Sequence, residues 1–319
     1  MKLIRLQFPL SIDKQEFPPL SMALGYFDGV HLGHQEVIKE AKKQADQKGL
    51  SAAVMTFDPH PSVVLGRNVQ HVQYITPLTE KIKLIEDLGI DYLFVVNFTL
   101  DFANLLPQEF IDQYIIGLNV KHVVAGFDYT YGRMGKGTME TLPFHSREDF
   151  TYSVVPKFVD SNEKISSTRI RTLLREGETA LLPKLLGRFY TTTGIVIHGD
   201  KRGRTIGFPT ANIGLTQEFI IPRLGVYAVK IKIDNEWYNG VCNVGIKPTF
   251  NQGTSTPSVE VHIFEFDQDI YGKEATVEWH QFIRNEQKFS GIKELVAQIE
   301  QDKLRALKYF EEKSRTTCK

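Results

Sequence analysis

Gly25-Tyr26-Phe27-Asp28-Gly29-Val30-His31-Leu32-Gly33-His34 brings glycines and two histidines together between a short apolar run, residues 22–27, and an amphipathic stretch, residues 34–47. A strand that turns straight into a helix leaves backbone N–H groups at the helix start, and with the macrodipole these make an anion site. His31 and His34 are three apart, so both can face one bound phosphate. Imidazoles so placed can donate hydrogen bonds to charge developing on a reacting phosphoryl group. The same residues also read as a capped loop, or as a zinc site with Asp28 as third ligand.

Outward from this turn the strand–helix alternation continues. Strands are expected at residues 52–57, 92–97, 122–126 and 152–158, with helices near 78–88 and 108–116. Leu78, Ile82, Ile85 and Leu88 recur at helical spacing. Such alternation implies parallel strands joined by right-handed crossovers, with ligands at the carboxyl ends of the strands. After Gly187 the rhythm changes to short β-type runs, at 191–198, 226–233, 237–243, 259–266 and 275–279, separated by Gly, Pro, Asn and Asp. That pattern suggests an antiparallel barrel or sandwich. Val229, Ile231 and Ile233 alternate with Lys230 and Lys232, as a half-buried strand requires. A last amphipathic helix follows a Ser290 N-cap, with Ile292, Leu295, Val296, Ile299, Ala306, Leu307 and Phe310 on one stripe. The reading is therefore an α/β domain over 1–182, a linker at 183–186 and a β domain over 187–319.

The chain has 319 residues, 42% hydrophobic and 24% charged, ordinary for two globular cores. Its 38 basic and 38 acidic side chains cancel, which gives no support to nucleic acid as a partner. Cys242 and Cys318 have no C-x-x-C partner, so neither a disulfide framework nor a structural zinc site is indicated. The opening stretch, broken by Lys2, Arg5 and Pro9, is too weak for a signal peptide, and no run reaches the length of a membrane span. A cytoplasmic protein with no membrane partner is expected, its oligomeric state open.

The turn at 25–34 resembles the H-x-G-H signature of the nucleotidylyltransferase superfamily, in the form found in bacterial FAD synthetases. The resemblance continues at Thr56-Phe57-Asp58-Pro59-His60-Pro61, at Gly126-Phe127-Asp128-Tyr129-Thr130-Tyr131-Gly132 and at Ile165-Ser166-Ser167-Thr168-Arg169-Ile170-Arg171. It implies a Rossmann-like nucleotidyltransferase domain, with His31 and His34 catalytic and Gly25, Phe27, Asp28, Gly33, Ser166, Ser167, Thr168 and Arg169 around ATP. Asp58, Pro59, His60, Asp128 and Tyr129 are expected near the flavin. Tyr129-Thr130-Tyr131-Gly132 departs from the family's commoner Phe-x-Phe-Gly. The glycine-rich 132–138 stretch lacks the glycine and hydroxyl of a P-loop and is read as a lid or a plain loop.

In the second half, Gly207-Phe208-Pro209-Thr210-Ala211-Asn212 resembles the signature of riboflavin kinases, as do the segments 243–250 and 282–289. Lys247 stands where arginine is commoner. The resemblance implies a six-stranded antiparallel β-barrel with a C-terminal helix, Gly207, Thr210 and Asn212 on ATP, Thr210 and Asn212 on Mg²⁺, and Arg284 on the flavin. In Val259-Glu260-Val261-His262-Ile263 the period of two turns Glu260 and His262 away from the apolar face. That leaves Glu260 either an exposed strand glutamate or a base for the flavin's ribityl hydroxyl, and the family makes it the base. The chain is thus expected to phosphorylate riboflavin to FMN and adenylylate FMN to FAD, consuming two ATP and releasing ADP and pyrophosphate.

Overall fold

The computed structural model describes the chain apart from residues 12–15, 67–71, 161–162, 200–202, 204–205, 247–256 and 318–319. Two compact units result, Met1–Ser167 and Thr168–Lys319.

In the first unit, β1 (Lys2–Leu6), β2 (Leu20–Leu24), β3 (Ser51–Asp58), β4 (Tyr92–Asn97), β5 (Val120–Gly126) and β8 (Thr151–Val155) form one sheet, in the order β1-β4-β3-β2-β5-β8. Every pairing in it is parallel. Parallel sheets need cover on both faces, and β2 is buried at all of its residues. Met22, Met55, Phe94 and Tyr114 fill one face. Ala23, Val54 and Leu93 meet Ile38 and Ala41 of α1 (Leu32–Lys48) and Ile85 on the other. Ile85 belongs to α3 (Leu78–Glu86), which follows the short α2 (Pro61–Leu65). α4 (Leu100–Ala103), α5 (Pro107–Phe110) with a π-helical continuation Ile111–Ile116, and α6 (Leu142–Ser146) complete the helices of this unit. The hairpin β6 (Thr130–Tyr131)–β7 (Gly137–Thr138) and the pair β9 (Val159–Asp160)–β10 (Glu163–Lys164) are small and antiparallel. Edge strand β1 escaped the sequence reading because Lys2 and Arg5 interrupt its apolar run.

The sheet grows from β2 through β3 to β4 on one side, and from β2 to β5 on the other. The carboxyl end of β2 is therefore the point where strand order reverses, the usual crevice for a ligand in an open α/β sheet. The turn at residues 25–31 lies there.

The second unit contains α7 (Ser167–Glu176) from its second residue, α8 (Leu182–Leu186), and a closed antiparallel barrel. Its strands are β11 (Tyr190–Ile197), β12 (Ala211–Leu215), β13 (Gly225–Ile233), β14 (Glu236–Ile246), β15 (Pro257–Ile263) and β16 (Glu274–Arg284). They close in the order β11-β12-β15-β14-β13-β16. The alternation expected of Val229–Ile233 is present, with Val229, Ile231 and Ile233 buried. α9 (Ile292–Thr317) lies on the barrel most closely from Asp302 onward. Ala306 and Phe310 are buried with Val226, Ala228, Val241 and Phe264, while Ile292 at the head of the expected stripe is exposed. Ser290 does not accept a capping hydrogen bond; its N–H and hydroxyl both donate to Glu294 Oε2, at 2.9 and 2.6 Å.

Where a linker was expected, at 183–186, the chain is helical, and Leu182, Leu185 and Leu186 are buried. The segment before it is tied to the barrel: Arg223 N–H donates to Leu174 O at 3.0 Å, and Thr179 Oγ1 donates to His280 O at 3.1 Å. Gly177, at φ +83°, sits where a Cβ would lie 3.1 Å from Tyr227 Oη. Burying each leucine is worth about 1.5–3 kcal/mol. A fragment beginning at Thr168 should therefore unfold at a higher denaturant midpoint than one beginning at Gly187. Equal midpoints would mean that residues 168–186 add nothing to the barrel.

Candidate active sites

The turn after β2 is held in a costly conformation. Phe27 and Val30 have left-handed backbones, at φ 57° and 39°, although neither is glycine. Such residues cost on the order of 1–3 kcal/mol each and persist only where their surroundings dictate them. Both side chains are buried. A Cβ on Gly25 would stand 2.7 Å from the Phe27 ring, so only glycine fits beside it. The Asp28 carboxylate, 2% exposed, accepts the backbone N–H groups of Thr76 at 3.0 Å and Ile75 at 3.4 Å. Asp28 thus braces the turn from below. Its carbonyl accepts the Ser167 hydroxyl at 2.8 Å, which brings the Ser166–Ser167 segment against the turn and uses that hydroxyl as a donor instead of a helix cap.

His31 caps α1, its Nδ1 accepting the His34 N–H at 3.2 Å. That bond leaves the proton of the neutral ring on Nε2. The two imidazoles stack with centroids 3.5 Å apart and 17° between planes. His34 Nδ1 is buried and has no hydrogen-bond partner among the described residues, the state of a group kept for a ligand. Stacked rings do not converge on one ion, and Asp28 is committed to backbone. Among the described residues no three His, Cys, Asp or Glu side chains are grouped to hold a metal, so the zinc reading finds no support here. Gly33 keeps the rings clear, since a Cβ there would lie 3.3 Å from His31.

Burial, above all, pushes His31 down to about 4, with repulsion from Lys164 added and Asp28 opposing. Burial and then His31 and Lys81 hold His34 well below its ordinary value. Both rings are therefore neutral donors at pH 7.

The segment after β3 stands beside this turn. His60 caps α2, Nδ1 accepting the Ser62 N–H at 3.0 Å, and its ring meets Tyr26 edge-on at 4.4 Å. Asp58 and Pro59 precede it, half-buried. Asp128 pairs with Lys164, and the half-buried Tyr129 ring stacks toward Tyr131. Thr168 and Arg169 open α7, the first exposed and the second half-buried. The glycine-rich 132–138 stretch is a tight hairpin. A Cβ on Gly132 would meet Pro107 at 2.7 Å, and one on Gly137 would meet the Tyr131 ring at 2.4 Å.

The barrel carries a second polar cluster. Asn212 on β12 pairs in register with Glu260 on β15, which pairs with Asn243 on β14. Directly opposed residues share a face, so the three side chains form one row. Val259, Val261 and Ile263 fill the barrel interior, and the row lies on the outside. The described parts of the 199–210 loop cover it. His262 Nδ1 is 2.9 Å from Pro209 O, and because a carbonyl only accepts, that nitrogen carries the proton. Gly199 and Gly203 let the loop approach: a Cβ would stand 2.2 Å from the Asn212 amide at the first and 2.3 Å from Phe208 O at the second. Lys201, Arg202, Arg204 and the 247–250 part of the kinase signature, Lys247 included, lie outside the described residues. Arg284, expected on the flavin, is paired with α9. Its Nε and Nη2 donate to the Asp302 carboxylate at 2.7–3.0 Å, and Asp302 is 2% exposed.

Sequence reasoning missed Lys81, and it quoted Asn243 within the 243–250 segment without giving it a role. Lys81 is 2% exposed under the first turn, on the stripe of α3 that also carries Leu78, Ile82 and Ile85. A lysine on an apolar stripe was the available signal. By NMR titration the His31 ring should stay neutral to about pH 5 and protonate near 4. The unfolded histidine takes its proton near 6.5, so the unfolded chain binds more protons between these values. This contribution to stability is complete above pH 6.5 and declines as pH falls toward 4; an ordinary titration near 6.5 would contradict the burial.

The sequence matches the family model of FAD synthetase over residues 13–169 and that of riboflavin kinase over residues 186–310. It is 55% identical to the bifunctional riboflavin kinase/FMN adenylyltransferase of Bacillus subtilis, over 97% of this chain and 98% of the relative. The enzymes of the same name from Listeria monocytogenes and Escherichia coli are 49% and 36% identical over the same shares. A crystal structure described as a macrolide-efflux protein from Streptococcus pneumoniae superimposes with a TM-score of 0.85 at 37% identity, covering 94% of this chain and 97% of that one. Among the described residues no helix is long and apolar enough to cross a membrane. With both enzyme domains present in the order of the two units, and matched across almost the full length of these relatives, the chain belongs to the bifunctional riboflavin kinase/FMN adenylyltransferase family: it phosphorylates riboflavin to FMN and adenylylates FMN to FAD.

Proposed function

We propose that adenylyl transfer takes place at the turn between β2 and α1, and phosphoryl transfer at the Asn212–Glu260–Asn243 row. The observation that carries the first assignment is the orphaned His34 Nδ1 beside His31, at the switch point of the sheet. ATP phosphates lie over the N-terminus of α1 and beside Ser166 and Ser167. An FMN phosphate oxygen attacks the α-phosphorus, the bond to the bridging oxygen breaks, and pyrophosphate leaves. His31 and His34, neutral and fixed, donate hydrogen bonds to the charge that grows on the phosphoryl oxygens. No protein nucleophile is needed, because positioning and charge stabilisation supply the rate. Gly25, Phe27 and Gly33 shape the backbone, and Asp28 acts by holding it. Asp58, Pro59, His60, Asp128 and Tyr129 surround the flavin end.

In the barrel, Glu260 accepts the proton of the terminal ribityl hydroxyl of riboflavin as that oxygen attacks the γ-phosphorus of ATP and ADP departs. Thr210 and Asn212 offer the hard oxygen donors that Mg²⁺ prefers, under the loop that Gly199 and Gly203 allow to approach closely. They would hold the ion with Gly207 beside the nucleotide, and bound Mg²⁺ would neutralise phosphate charge. The Nδ1–H of His262 goes to Pro209 O, which orients the ring and leaves its Nε2 as the second candidate for the base. The boundary between the two activities falls within residues 168–186, and both reactions run in the cytoplasm.

Initial rates on one preparation, from riboflavin and from FMN, test both assignments. Glu260→Gln should lower FMN formation by about a hundredfold to ten-thousandfold and leave FAD formation from FMN unchanged. His31→Ala should lower FAD formation by about a hundredfold to a thousandfold and leave FMN formation unchanged. A variant in which both rates fall together would show a structural role, and one in which neither falls would remove the residue from its site.

A further inference from the structure

Lys81 is the one lysine that is buried among the described residues. Its Nζ donates to Tyr26 O at 2.8 Å and to Thr56 Oγ1 at 3.4 Å, and lies 4.0 Å from the centroid of the Tyr26 ring. Thr56 Oγ1 donates to the same Tyr26 carbonyl at 2.8 Å. A single side chain of α3 thus ties the 25–31 turn to the end of β3, and those are two of the segments that build the adenylyl-transfer site. Among the described residues no carboxylate forms an ion pair with Lys81. Asp28 and Asp58 act on it only at longer range, and Asp28 spends its oxygens on backbone N–H groups.

Burying an ammonium group without an ion-pair partner is costly, and a chain keeps such a charge where something compensates it. Hydrogen bonding alone does not require the charge, because a neutral amine also donates to a carbonyl. An anion arriving over the turn would require it.

We propose that Lys81 is a positioning residue of adenylyl transfer, which fixes the phosphate turn through the Tyr26 carbonyl and, while protonated, places a positive charge beneath the triphosphate of ATP. The inference rests on the placement of ATP at this turn. Burial pushes Lys81 down to about 8, with Asp28 and Asp58 opposing. The groups that face it are Asp28 and the Tyr26 ring from the turn, Asp58 from β3, and His34 from α1. His34 is neutral at this pH, and burial raises Tyr74, which bonds to Tyr26. Lys81 is therefore the group in this cluster whose charge changes near pH 8.

The experiment measures FAD formation from FMN and ATP between pH 6.5 and 9.5 with the full chain, Lys81→Arg and Lys81→Met. Riboflavin phosphorylation in the same samples serves as reference, with His31→Ala alongside. The unsubstituted enzyme should lose FAD synthesis, relative to the kinase rate, by up to about tenfold per pH unit above about 8, as the ammonium is titrated. Lys81→Arg should carry that limb to higher pH, because a guanidinium does not deprotonate in this range. Lys81→Met should lower kcat at pH 7 by about tenfold or more, with the KM for ATP changed less. A limb absent from the unsubstituted enzyme, or unmoved in Lys81→Arg, overturns the proposal even where Lys81→Met fails to fold. Full FAD synthesis by Lys81→Met also overturns it. If Lys81→Met is normal while His31→Ala is slow, only the role of Lys81 is lost; if His31→Ala is normal too, the placement of the site is lost.

Discussion

The carboxylate of Asp28, closed over the backbone N–H groups of Ile75 and Thr76, is the constraint on which the nucleotidyl-transfer unit depends. Phe27 and Val30 occupy backbone conformations that are unfavourable for their side chains, and they hold them because the turn is gripped from several sides. The grip consists of Asp28 below, the buried Phe27 and Val30 side chains, and two hydrogen bonds to the Tyr26 carbonyl. Its result is a helix start with two stacked imidazoles at the reversal of strand order. The adenylyl-transfer site proposed here is built mostly from backbone, and the side chains act chiefly by fixing where that backbone lies.

Protonation states follow from burial. His31 and His34 are neutral because the charged imidazolium would lose too much hydration, and a neutral imidazole still donates one hydrogen bond. The barrel solves its own problem differently. Its interior is filled by Val259, Val261, Ile263 and their neighbours, so polar groups are found on the outside of the wall, where strand register puts Asn212, Glu260 and Asn243 side by side. Thr210, Asn212 and Glu260, and the residues in register with them, all belong to the second unit, as two separable activities would require.

Much of this was legible in the sequence, for identifiable reasons. Strand β4 and helix α3 were read correctly or nearly so because an uninterrupted apolar run and a helical stripe leave little choice. Strand β12 was missed since Ala211-Asn212-Ile213-Gly214-Leu215 is short and begins just after Pro209, and it is the strand that carries Asn212. The apolar stripe of α9 was read as continuous, yet Ile292 at its head is exposed and full burial against the barrel comes only at Ala306 and Phe310. Of the residues in the proposed sites, His31, His34 and Glu260 were visible through motif and alternation. The bracing role of Asp28 and the pairing of Arg284 were not, because their partners are distant in the chain: Thr76 for the first and Asp302 for the second.

Adenylyl transfer runs backward when pyrophosphate and FAD are supplied, and labelled pyrophosphate then enters ATP through the first site alone. The most direct measurement is this FAD-dependent exchange in a chain carrying Asp28→Ala, with riboflavin phosphorylation measured on the same sample. If the braced turn is the adenylyl-transfer site and the barrel works independently, exchange is lost while the kinase rate stays at its unsubstituted value. Exchange at the unsubstituted rate would contradict the account, because the turn would then not need the carboxylate that holds it.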